Sequence, residues 1–428
     1  MALRRWDEDV DVSTGTAKRS PAAAPKFQQR KEMILRAAVD VLARKGVRGM
    51  TLAEVAAGLD LVPTAVSYYF RKKEDLAAAC FLRAIERYDS LMAAAEAQAP
   101  NPAGRLAAFV KGFFADAAAQ AVGEADPIVP FNDVRALQDP AVNVAYVAMF
   151  RRLRSLALTG EGVTLERPER NARTHLLISQ LFWAPVWLHR YGPLDYPRAA
   201  ERMIDILLNG VSEARKPLKP LYLPMPEEMS ADKEVSYEAF LKVATELINE
   251  QGYLGASVSK ISSSLNVTKG SFYHHNNAKD DLVGACFDRT LQIMSETQRT
   301  ADRAAQRSLD RLVAAAATLI RSEVSGETPL LRTSALSSAP EAMRPRLIRR
   351  FDRVTLRFAG LLSDGRADGT IRAIDPMIGA QMVTAAINAA AELHHWAPGV
   401  TGDNAFRLYT GPLFAGLYTS VQDKSHAA

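Results

Sequence analysis

The sequence predicts an all-α protein built as two similar units in tandem. Three observations carry that prediction. Ala and Leu are abundant among mixed charges, a composition that favours helix. Apolar residues recur at helical spacing between recognisable caps. Two stretches, 206 residues apart, each present short helices that meet at a tight turn.

Residues 1–25 mix charge, Ser, Thr, Ala and Pro without periodicity and read as a disordered arm. Lys18 and Arg19 in it can track phosphates or simply be solvated. A helix follows from Phe27 to Lys45, with Ile34, Leu35, Ala38, Val41 and Leu42 on one face and Gly46 to end it. Thr51 and Glu54 form a capping box for the next helix, and Asp60 marks a turn. Pro63 opens a third helix, where its missing N–H has no intrahelical partner to lose. A longer helix begins at Lys73. The same order returns at Ser257, Asn266, Thr268 and Lys279.

The return is an internal duplication. Positions 34–83 and 240–289 share twelve identities in fifty aligned residues without a gap, among them Gly46 with Gly252, Gly49 with Gly255 and Cys80 with Cys286. Arg105-Leu106 matches Arg311-Leu312 at the same shift, and Leu188-His189-Arg190-Tyr191 resembles Leu393-His394-His395-Trp396 one residue short of it. The expected division is an arm (1–25), a first head (26–80) and body (81–215), a Pro-rich linker (216–235), then a second head (236–286) and body (287–422). Pro217, Pro220, Pro224 and Pro226 exclude helix from the linker.

At 428 residues the chain exceeds one typical domain. It has no apolar run of about 18 residues, so no membrane span is expected. Its N-terminus lacks the apolar core of a signal peptide, and two cysteines make no disulfide framework, so the cytoplasm is the expected compartment. A net charge of +5 permits nucleic-acid binding without requiring it.

In the second head, Val267, Thr268, Lys269, Gly270, Ser271, Phe272, Tyr273, His275, Lys279 and Leu282 fit a pattern close to V-[ST]-K-G-[ST]-[LF]-Y-x-H-F-x-x-K-x-x-L. This resembles the tetracycline-repressor (TetR) family of bacterial regulators, with Asn276 in place of the usual Phe. The first head keeps Phe70, Lys73 and Leu76 but lacks the Lys-Gly pair and the first Tyr. Asp368-Gly369 followed by Asp375-Pro376 also resembles the family's body. The resemblance implies a helical DNA-binding head, a helical ligand-binding body and a dimer whose two recognition helices move when an effector binds. Here the dimer would form within one polypeptide.

A groove-reading helix needs donors at base edges and on phosphates. In the second head Lys269, Ser271 and Tyr273 are assigned to the groove, and Thr268, His274, His275 and Lys279 mainly to phosphates. In the first, Thr64, Ala65 and Ser67 take the groove, and Thr51, Tyr68, Tyr69 and Lys73 the phosphates. Any one tyrosine can instead pack the head's core. For an apolar or aromatic effector the candidates are Phe113, Phe114, Phe150, Trp183, Trp187 and His189 in the first body, and Phe351, Phe358, Asn388, His394 and Trp396 in the second. Core or interface packing explains each of these singly as well. The His pairs lack metal-ligand spacing, so neither metal nor cofactor is expected, and no catalytic motif stands out.

The expected function is a ligand-responsive repressor that binds double-stranded DNA as a single-chain pseudo-dimer. Because the two heads differ at their outward positions, the expected operator is asymmetric. A homodimer with four heads, and a ligand-binding or scaffold protein whose heads no longer read DNA, are the alternatives.

Overall fold

The computed structural model describes residues 23–214, 216–225, 237–268, 279–339 and 342–419. Among them the chain is helical and holds no strand beyond a single antiparallel bridge, Ser212 to Ile371. The first half runs α1 (Ala23–Gly49), α2 (Leu52–Ala57), α3 (Pro63–Ser67), α4 (Lys73–Gln98), α5 (Pro102–Ala121), α6 (Pro140–Leu158), α7 (Arg167–Leu188) and α8 (Tyr196–Asn209). The second runs α9 (Tyr237–Gly255), α10 (Val258–Ser264), α11 (Lys279–Ala304), α12 (Ser308–Ser325), α13 (Arg344–Ala367), α14 (Pro376–Ala389) and α15 (Leu393–Trp396). It closes with α16 (402–415), assembled from Gly402–Ala405, a π-helical stretch Phe406–Thr410, and Gly411–Ala415. Among the described residues no helix is long and apolar enough to cross a membrane.

One boundary differs from the sequence expectation. Helix begins at Ala23, inside the expected arm, because Pro25 falls in the first turn, where a missing N–H is harmless. Residues 1–22, including Lys18 and Arg19, lie outside the described residues.

The duplication is visible bond by bond. Thr51 caps α2 by accepting the Glu54 N–H at 3.2 Å, and Ser257 caps α10 by accepting the Lys260 N–H at 3.3 Å. Gly46 and Gly252 bend their helices at φ 67° and 68°, and Asp60 and Asn266 make the turns at φ 54° and 55°. The Cys80 thiol faces Leu35 O at 3.8 Å, and the Cys286 thiol faces Leu241 O at 3.6 Å. Arg83 pairs with Glu32, as Arg289 does with Glu238. Lys45 donates to Glu54 in the first head; in the second, Lys260 donates to Gln251 at 2.6 Å, the same contact with its donor and acceptor exchanged.

Both cysteines are buried apolar residues, and burial pushes their thiols up to about 12 and about 11. The halves differ in how head joins body. The first head's core, with Val55, Val66 and Phe70, is continuous with the main core, whereas Phe240, Leu241, Ile248 and Ile261 form a separate cluster with Leu331 and Leu347.

The two bodies meet through α7 and α8 of the first half against α14 and α16 of the second, the four-helix packing expected of an amphipathic bundle. The interface is apolar with buried polar ties. Trp183 Nε1 donates to Gln381 Oε1 at 2.9 Å, Gln180 Nε2 to Met382 O at 3.2 Å, and Arg173 Nη1 to Leu417 O at 2.6 Å. His175 Nε2 meets Ala389 O at 2.9 Å, and burial lowers the imidazole's pKa so that the ring stays neutral. At the rim Arg202 pairs with Asp375, and Arg372 reaches Asp205 at 2.9 Å and Gly210 O at 2.8 Å.

Two equivalent glycines close this interface. Val211 N–H donates to Phe414 O at 2.9 Å, and Leu417 N–H donates to Leu207 O at 2.8 Å. Gly210, at φ 72°, stands where a Cβ would strike Phe414 O, and Gly416, at φ 103°, where a Cβ would lie 2.7 Å from Leu208 O. The backbones approach because neither residue has a side chain. Past α8 the linker is packed along α12: Leu223 N–H donates to Thr318 Oγ1 at 2.9 Å, and the Arg321 guanidinium lies 4.7 Å from the centre of the Tyr222 ring.

Replacing Gly416 by Ala combines backbone strain with a collision against carbonyl oxygen. The expected loss is about 2–4 kcal/mol in urea denaturation. Gly369→Ala is the comparison. Gly369 has φ 74° with open space around it, so only strain applies, about 1 kcal/mol.

Candidate functional site

The first head presents α2 and α3 in the order of a helix-turn-helix, and its outward side chains mix small polar residues with the exposed Val62 and Tyr68. Thr64 and Ser67 are exposed, and Ala65 is half-buried. Val66 and Phe70 point inward at 0% and 6% exposure and anchor the helix. Ser67 Oγ donates to Pro63 O at 3.1 Å, a local bond that an incoming acceptor can replace. Thr51 is exposed at the start of α2, where its hydroxyl is already the cap. Tyr68 is 65% exposed, while Tyr69 is half-buried, its ring 4.7 Å from that of Phe27. Tyr69 is the more deeply packed of the two, and Tyr68 keeps edge contacts with Phe27 at 6.1 Å and with Tyr69 at 5.2 Å. Lys73 opens α4 as expected, yet its ammonium donates to Arg48 O at 2.8 Å and Val47 O at 3.4 Å, carbonyls at the end of α1. Its charge ties α4 to α1 within the head.

In the second head Thr268 is exposed just beyond α10, and Lys279 begins α11. Lys269, Ser271, Tyr273, His274 and His275 lie outside the described residues, as does Asn276.

The effector candidates scatter. Phe113, Phe114, Phe150 and Phe358 are buried core, Trp187 packs on Phe114, and Trp183 belongs to the interface between the bodies. His189 is exposed. Trp396 stacks on Phe150 at 4.2 Å and carries the Arg135 guanidinium at 5.5 Å, joining the halves through aromatic contact. Only Phe351, Asn388 and His394 come to cavities. Phe351 and Asn388 line a hollow of about 20 Å³ inside the second body, with Thr290, Met294, Glu323 and Arg332. His394 lines a cleft of about 680 Å³ between the heads and bodies. Leu42, Lys45 and Arg48 of the first head face Glu246, Ile248 and Gly252 of the second across it, and Glu323 and Arg332 wall both spaces. The heads touch at its rim, where the Arg48 guanidinium lies over Gly255. Among the described residues no group of three His, Cys, Asp or Glu is placed to hold a metal ion.

Glu323, Thr290, Met294 and Arg332 were not singled out from sequence. The available signal was the repeat: Glu323 interrupts the apolar face of α12 where the first half has Ala117. Glu323 is 7% exposed and accepts the Leu330 N–H, and burial pushes its carboxyl up to about 8, with Arg332 and Arg289 opposing. At neutral pH it is largely protonated. A raised carboxyl stabilises the fold fully below its ordinary value of 4.5, and that contribution is gone once pH passes about 8. The wild-type melting temperature is therefore expected to fall between about pH 5 and about pH 9, and Glu323→Gln to remove most of that fall, as read by calorimetry.

A family model described as "Bacterial regulatory proteins, tetR family" matches residues 34–80 and again 240–286. The transposon Tn10 TetC protein of Escherichia coli is 39% identical over 56 residues, 13% of this chain and 28% of that protein, so the match spans less than a third of that relative. Among solved structures, apo AibR is 22% identical over 42% of this chain and 99% of its own, with a TM-score of 0.36. The ketosteroid transcriptional regulator KstR2 of Mycobacterium tuberculosis is 15% identical over 43% of this chain and 96% of its own, with a TM-score of 0.34.

Proposed function

The chain being a tandem duplication of TetR-family domains, we propose that it is a ligand-responsive transcriptional repressor working as a single-chain pseudo-dimer on an asymmetric operator. The observation that carries this reading is the pairing of two heads of one plan through one internal interface. A homodimer brings identical recognition helices to a palindrome. In this chain Pro63, Thr64, Ala65, Ser67 and Tyr68 stand where the second head has Lys269, Gly270, Ser271, Tyr273 and His274, with no identity among them. Two unlike helices favour unlike half-sites. The division into heads at 26–80 and 236–286, bodies at 81–215 and 287–422, and linker at 216–235 belongs to the same reading.

Within it, Thr64, Ala65 and Ser67, with Lys269, Ser271 and Tyr273, read bases. Thr51, Tyr68, Tyr69, Thr268, His274, His275 and Lys279 hold phosphates. Lys73 contributes through the placement of α4, given its bonds to α1. An effector held among the bodies and heads would release DNA by changing the heads' separation, and the role requires no catalysis.

Base substitution across the bound site, scored by mobility shift, is expected to show different preferences in the two half-sites. A symmetric preference would sink the asymmetric reading. Lys269→Ala is expected to weaken DNA binding and lower the salt slope by about one, the signature of a lost phosphate or groove cation. Tyr68→Ala is expected to weaken binding clearly while lowering the melting temperature by no more than a few degrees, since the ring is 65% exposed and gives up edge contacts with Phe27 and Tyr69. Binding unaffected by either would remove those residues from the interface. Solution mass by light scattering separates the pseudo-dimer from a four-headed homodimer.

A further inference from the structure

The halves have diverged most tellingly at the centres of their bodies. Along α4 and α11, and along α5 and α12, the shift of 206 aligns Ala84 with Thr290, Tyr88 with Met294 and Ala117 with Glu323. In the first body Tyr88 packs edge-on to Phe131 at 5.5 Å, Phe131 stacks on Phe182 at 5.0 Å, and Phe182 lies 6.0 Å from Tyr88. The rings fill that centre. In the second body Asn388 stands where the first has Phe182 or, one residue out of register, Trp183. An aromatic is lost in either register, and the hollow of about 20 Å³ takes its place.

Most of the polar groups around that hollow present donors; Thr384, whose hydroxyl donates to Ala380 O at 2.8 Å, is the exception. Asn388 Oδ1 is occupied by Thr333, accepting its N–H at 3.0 Å and its hydroxyl at 3.1 Å, which leaves the amide N–H groups to point elsewhere. Thr290 Oγ1 accepts the Leu331 N–H at 2.8 Å, so the hydroxyl's own hydrogen remains to donate. Arg332 gives an Nη to Glu392, while its Nε is buried without a partner. The protonated Glu323 is a donor too. Around these donors the walls are Met294, Leu330, Leu331, Phe351 and Ile387. A buried N–H without an acceptor is unfavourable, and an oxygen acceptor relieves it. A cation would meet the Arg332 guanidinium, and the carboxyl beside it, Glu323, already accepts the Leu330 N–H.

We propose that the effector is anchored in the second body alone, one site per chain, and that it is an apolar molecule bearing a carbonyl or carboxylate oxygen. The oxygen enters the hollow, which has room for a group about the size of a water molecule. The remainder extends past Glu323 and Arg332 into the cleft, against Leu42 of the first head and Ile248 of the second. A ligand lodged there touches both heads at once. The proposal rests on the ligand-responsive reading above and specifies its ligand and stoichiometry.

The test is calorimetric titration of the full chain, without DNA, using octanoate, methyl hexyl ketone and octylamine. Octanoate or the ketone is expected to bind at one per chain and octylamine not at all. Asn388→Leu is expected to weaken binding at least tenfold. Should that variant fold poorly, Thr290→Val is expected to weaken it several-fold, while Glu323→Gln, which keeps a donor, retains binding. Tyr88→Phe in the first body is expected to leave binding unchanged. Binding of octylamine alone, two sites per chain, no binding of any of the three, or indifference to both Asn388→Leu and Thr290→Val would each overturn the proposal. A mobility shift with the same compounds separates the two readings. Binding that meets these expectations but never alters DNA release leaves the site standing and removes the regulatory role.

Discussion

The close approach of the Gly210 and Gly416 backbones is the constraint on which the arrangement of this protein depends. It lets the ends of α8 and α16 exchange main-chain hydrogen bonds, and it sets α7 against α14 closely enough for Trp183, Gln180, His175 and Arg173 to find partners across the seam. Those groups are buried, and each bond across the seam holds a donor that would otherwise lack an acceptor, which favours this register. Head separation and the cleft between the heads both follow from how the bodies are clamped.

Around that shared frame the halves have diverged in opposite directions. The first keeps an aromatic centre and a head whose core runs into its body. The second has a polar-lined hollow, a head core separate from the main core, and the linker segment bound along α12. A homodimer cannot make this division, because one sequence serves both subunits. Duplication within a single chain lets each copy diverge separately, here to an aromatic-filled centre in the first body and a hollow in the second. The exchange of Lys45–Glu54 for Gln251–Lys260 shows the same freedom on a small scale: the contact survives while an ion pair becomes a cation donating to a neutral amide.

Much of the fold was legible in the residues. Capping residues, Gly46, Gly252, Asp60 and Asn266 impose local geometry wherever they occur, so the helix boundaries around them could be read directly. α8 is strongly amphipathic and turns its apolar side to the interface, where the C-terminal helix is buried nearly all round. The candidate ligand residues were much less legible. Aromatic side chains fill cores, interfaces and pockets alike, and Trp183, Phe113 and Phe358 proved to be packing. Lys73 matched its motif, but a motif position says nothing about which oxygen an ammonium will reach.

Local rules therefore determined the elements, the repeat and the kind of head, because each depends on a few neighbouring residues and a fixed spacing. Which residues surround empty space depends on long-range packing. Glu323 and Thr290 lie far from Asn388 in sequence and are ordinary in type, and only the folding of α11, α12 and α14 onto one another brings them beside that sequence-named candidate around one hollow.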